Sequence, residues 1–89
     1  MTRFSCFKQV SDLDFWQSEN DGVVYVEVVL TEIKYKGDSY FKVSVWNNDD
    51  LGREIETHSY AEALSIYLML LSKDKISDDL LTDNGFFGA

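Results

Sequence analysis

The sequence predicts an α+β fold: a small, mostly antiparallel, four-stranded sheet with one main α-helix packed on one face. Alternating and β-branched runs fill the first two thirds of the chain, and a single capped helical pattern follows them. Strands in a run ahead of a helix favour α+β over alternating βαβ units. Proline is absent, and no linker-like or repeated stretch divides the 89 residues, so residues 1–89 read as one domain.

Thr2 to Val10 alternates, with Phe4, Cys6 and Val10 on one face, as a half-buried strand does. Ser11-Asp-Leu-Asp14 resembles a capping box, so Phe15-Trp16 is expected to form a helical turn that Asn20-Asp-Gly22 stops. Val23 to Tyr35 is the densest β-branched run. Val24, Val26, Val28 and Leu30 share a face, and the apolar parity then changes to Ile33 and Tyr35, which predicts a bulge near Leu30–Glu32. Lys36-Gly-Asp38 makes a hairpin turn into a strand from Tyr40 to Asn47, with Phe41, Val43 and Val45 inward. Asn47-Asn-Asp-Asp-Leu-Gly52 turns the chain again, and Arg53 to Thr57 forms the fourth strand, with Ile55 inward and Glu54 and Glu56 outward.

Ser59-Tyr-Ala-Glu62 is a capping box that opens a helix from Tyr60 to about Lys73. Tyr60, Ala63, Leu64, Tyr67, Leu68 and Leu71 form the stripe expected to pack on the sheet. Ile66, Met69 and Leu70 fall outside it, so a second layer must cover them. That layer is either the tail 76–89, with Leu80, Leu81, Phe86 and Phe87, or a second subunit. Trp16, Ile66, Met69, Leu70, Phe86 and Phe87 are therefore the candidate apolar interface. Ser77-Asp-Asp-Leu-Leu-Thr-Asp83 reads as one further helical turn, stopped by Asn84-Gly85.

The 16 acids against 8 bases give a net charge of −8, which argues against direct nucleic-acid binding. One cysteine gives no internal disulfide, and the lone histidine, His58, would need partners for a catalytic or ligating role, while that cysteine lies on the predicted inward face of another strand. There is no phosphate loop, nucleophile elbow or two-histidine metal motif, and Asn48-Asp-Asp50 lacks the spacing of a calcium loop. The expectation is no enzyme, no catalytic residue, no metal and no cofactor. No apolar run reaches the ~18 residues of a membrane span, and no signal-peptide pattern opens the chain, so the expected location is cytoplasmic.

The acids are unevenly spread. From Gln9 to Ile33 there are six (Asp12, Asp14, Glu19, Asp21, Glu27 and Glu32) and no base. Asp49, Asp50, Glu54 and Glu56 form a second group relieved only by Arg53. Such acidity has two readings: solubility through net charge, or carboxylates spaced along a rigid sheet that steer the protein onto a basic groove, with interspersed aromatics as anchors. These ten acids are the candidate partner-binding surface.

With Ser59-Tyr-Ala-Glu-Ala-Leu64 opening the helix, Tyr40 to Leu71 resembles in layout the strand–turn–strand–helix unit of small, acidic, phage-encoded anti-CRISPR proteins. It is also loosely similar to HicB-type antitoxins, with Asn47-Asn-Asp-Asp-Leu-Gly52 replacing their Pro-containing turn. Both resemblances imply a compact protein that binds and blocks. The expected function is a phage or mobile-element inhibitor of a host defence or nucleic-acid-processing protein, acting by nucleic-acid mimicry inside a bacterial host. The expected partner is a basic-surfaced host protein or nucleoprotein complex. Neither direct nucleic-acid binding nor a membrane role is expected, and a homodimer is one way to cover the surplus apolar surface. The alternatives are an antitoxin or immunity protein that masks a toxin, and a small scaffold subunit.

Overall fold

The computed structural model describes residues 5–19, 22–48 and 50–88. Four antiparallel strands, β1 (Ser5–Glu19), β2 (Gly22–Tyr35), β3 (Asp38–Asn47) and β4 (Asp50–Thr57), lead into α1 (Tyr60–Leu71) and α2 (Asp78–Asp83). A two-residue strand, β5 (Phe87–Gly88), then pairs with β4, so the sheet has five strands in the order β1-β2-β3-β4-β5 rather than four.

β1 corrects the expected helical turn. Ser11 to Trp16 continues the strand, because Ser11, Leu13, Phe15 and Gln17 stand opposite Leu30, Val28, Val26 and Val24. The long β2 thereby gains a partner along its whole length, which outweighs a local capping pattern. The bulge is also displaced. β2 pairs with β3 without interruption, and the extra residue is Val10 of β1, opposite the Leu30–Thr31 step. Leu30 and Ile33 therefore face opposite ways by strand alternation. Ile33 is buried outside the main core, with Tyr40 as its cross-strand neighbour.

Lys36 (φ 52°) and Gly37 (φ 86°) link β2 to β3, and two positive φ values are what a type I′ hairpin requires. Gly52 is the extra residue in the β3–β4 pairing.

α1 lies over β2, β3 and β4. Its buried residues are Ala63, Tyr67 and Leu70, joined in one core by Val26, Val28, Leu30, Val43 and Val45. The expected stripe is thus rotated: Leu68 is 54% exposed and Leu70 fully buried. Apolar residues surround most of the helix, so periodicity alone poorly fixes which side meets the sheet. The tail decides it. Ile76, Leu81 and Phe86 enter the same core, and Ile66, Met69, Leu64 and Leu71 pack partly against it. Leu70 and Phe86 are therefore core residues and not interface.

The helix ends explain how the tail reaches the core. Ser59 Oγ accepts from the Glu62 N–H at 3.1 Å, but the second half of the expected capping box is relayed: Ser59 N–H donates to Thr57 Oγ1, which donates to Glu62. α1 stops at Leu71, short of Lys73, with Ser72 as its C-cap. After α2, Phe86 N–H bonds Leu81 C=O and Gly85 N–H bonds Thr82 C=O, a Schellman closure with Gly85 at φ 87°. That closure turns Phe86 into the core. Arg53 Nη1 holds the same turn through Thr82 Oγ1 at 2.8 Å.

Candidate partner-binding face

Helices cover one face of the sheet, and strand alternation assigns the residues of the other. The pairing aligns them in rungs. Trp16 stands opposite Tyr25. The next rung runs Asp14–Glu27–Trp46, and the one after it Asp12–Val29–Ser44–Glu54–Phe87. Thr31–Lys42–Glu56 follows.

Five of the ten expected acidic residues share this face: Asp12, Asp14, Glu27, Glu54 and Glu56. Among the described residues one cation, Lys42, stands with them and pairs with Glu54 at 3.3 Å and Glu56 at 3.6 Å. Asp12 and Asp14 are both exposed. The β1 pair Asp12/Asp14 and the β4 pair Glu54/Glu56 are separated by three strand spacings, about 14 Å. Asp14 lies directly opposite Glu27, an arrangement of like charges that a sheet tolerates at a cost. The Tyr25 hydroxyl donates to Asp14, and its ring packs against Trp16 with centroids 5.0 Å apart. Trp16 itself is 68% exposed, and Val23 beside it 61%.

The other expected acids are elsewhere. Glu32 stands opposite Phe41, which packs toward the helix layer, so Glu32 belongs to the opposite face. Asp50 sits at the β3–β4 turn, paired with Asn47. Glu19 ends β1 opposite Gly22, and its side chain lies outside the described residues, as do Asp21, Asp49 and the side chain of Cys6. Of the expected apolar interface, Trp16 and Phe87 are exposed, and the pairing of Phe87 with Glu54 places it on the open face. Sequence reasoning missed Phe87 as part of this face, because only the β5 pairing puts it there. It also missed the Asp14–Tyr25 link, because that link depends on the β1–β2 register.

His58 borders an open cleft with Tyr40, Glu56 and Thr57. Its ring lies 6.0 Å from that of Tyr40, and its Nδ1 is 3.4 Å from Ser39 O. Among the described residues no group of three or more His, Cys, Asp or Glu could hold a metal. Among the described residues no helix is long and apolar enough to cross a membrane. The chain matches no protein-family model, no curated protein and no solved structure.

Proposed function

We propose that this protein is a blocking protein that presents its open sheet face to a basic surface, acting as a nucleic-acid decoy. The target class is a host-defence or nucleic-acid-processing protein or complex of a bacterial cell, as for inhibitors that phages encode. One observation carries the reading: among the described residues five carboxylates and one ammonium group share a sheet face, with Asp14 set directly opposite Glu27. Like charges set directly opposite one another weaken a strand pairing. A cationic partner makes it favourable, and the field of such a face also accelerates encounter. Trp16, exposed beside Tyr25, supplies the aromatic anchor that interfaces concentrate.

The scaffold alternative loses its main support, because Leu70 is buried and Ile66 and Met69 pack against the core. Masking a ribonuclease toxin would use the same acidic face, and the target's identity separates the two.

The test is capture from bacterial lysate by wild-type protein and by the Asp12→Lys/Asp14→Lys variant, with added nucleic acid as competitor. The expected result is a nucleic-acid-binding target, released by a few tenths molar salt and by competitor, and captured at least about tenfold less by the variant. Equal capture by the variant would overturn the decoy reading.

A further inference from the structure

β1 forms an edge of the sheet. It pairs with β2 on one side, and among the described residues no backbone hydrogen bond reaches its other side. An edge strand presents a row of N–H and C=O groups ready to pair with another chain. The bulge at Val10 interrupts that row, leaving Ser11 to Trp16 as a regular stretch. Its side chains alternate in chemistry as well as in direction. Asp12 and Asp14 are exposed on the open face. Leu13 between them points to the helix-bearing face, yet is 44% exposed, because α1 packs chiefly over β2, β3 and β4. Trp16 follows on the same face as the carboxylates.

We infer that this edge takes up an extended strand of the partner protein, with Lys or Arg facing Asp12 and Asp14 and an apolar residue between them facing Leu13. Backbone hydrogen bonds supply affinity in such strand addition, and the side-chain alternation supplies selectivity. A further cation, one alternate position along, lies against the Trp16 ring. A second copy of this chain suits the edge poorly. An antiparallel two-fold pairing centred on Leu13 sets Asp12 of one copy opposite Asp14 of the other, two like charges face to face. The inference rests on the partner being basic, and adds that the contacted part is an extended segment rather than a folded groove.

The test uses the full chain and two peptides of about eight residues with the same Lys and Val content, one strictly alternating and one in two blocks. The alternating peptide is expected to bind at least about tenfold tighter, or ~1.4 kcal/mol, and to slow amide exchange between Ser11 and Trp16. N-methylation of its alternate amides along one edge should abolish binding, while the other edge tolerates it. Asp12→Asn with Asp14→Asn should remove the preference for the alternating peptide.

Equal, salt-sensitive binding of both peptides overturns the strand inference and leaves the basic-partner reading standing. So does binding of neither peptide when lysate capture persists. Failure of lysate capture overturns the basic-partner reading itself. A β1-paired dimer of the protein alone, seen by sedimentation, overturns the choice of occupant.

Discussion

The side chain of Gln17 makes both hydrogen bonds that a neighbouring strand would make with Ile76. Its Nε2 donates to the Ile76 carbonyl at 2.9 Å, and its Oε1 accepts from the Ile76 N–H at 2.8 Å. Gln17 is 7% exposed and reaches across 59 residues of sequence. It ties the edge strand to the loop after α1, just where Ile76 enters the core. A second tie, Ser11 Oγ to the Tyr67 hydroxyl at 2.9 Å, anchors the same strand to α1.

Gln17→Met keeps the side-chain length and removes both polar partners. Each orphaned buried backbone group costs about 1–3 kcal/mol, a large share of the ~5–15 kcal/mol that holds a small domain together. Urea denaturation should show a clear fall in midpoint. An unchanged midpoint would mean that water replaces the amide.

Leu68 and Leu70 separate the two faces of α1. Leu70→Ala should cost about 2–5 kcal/mol, as buried leucine truncations do. Leu68→Ala, at a side chain 54% exposed, should stay near the ~0.5 kcal/mol of a surface change. Thermal melts of the pair decide it, and equal losses would show the helix rotated from this position.

The tail is part of the core, so cutting after Lys75 should unfold a monomer. It removes Ile76, Leu81 and Phe86 together. Phe86→Ala alone should cost about 3–5 kcal/mol. Circular dichroism with sedimentation is the check, and a stable, soluble truncated monomer would contradict the packing.

Much of the fold was legible because one face of each strand is plainly apolar. Val24 to Leu30, Phe41 to Val45 and Ile55 read correctly from alternation, and Ser59 and Ser77 marked both helix starts. Ser11 to Trp16 misread because a capping pattern is local, whereas strand pairing with Val26 and Val28 is distant in sequence. The phase of α1 misread because the periodicity of an almost wholly apolar helix does not choose a face. The candidate site was half legible. Charge counting found its acids, but only the register brings Asp12 and Glu54 onto one rung and sends Glu32 to the other face.

Salt should act on this protein in two opposite directions. The chain carries a net charge of −8, and among the described residues the open face holds five carboxylates with one cation. Such self-repulsion opposes the compact state. Raising ionic strength from 0.01 to 0.15 M shortens the Debye length from ~30 to ~8 Å, which screens the carboxylate rows about 14 Å apart more than it weakens contacts as close as Lys42–Glu54. The melting temperature is therefore expected to rise across that interval. Association with a basic partner is expected to slow steeply over the same interval, because the steering field is screened by the same ions. Asp14→Asn keeps an acceptor for the Tyr25 hydroxyl and removes the charge opposite Glu27. It should raise the low-salt melting temperature slightly, by a stability gain of about 0.2–1 kcal/mol, while reducing the association rate. Calorimetry and stopped-flow binding at matched salt concentrations read the two effects separately. A melting temperature that falls with salt would mean that the Lys42 ion pairs outweigh the repulsion, and the acidic face would then be a stabilised surface with no need of a cationic partner.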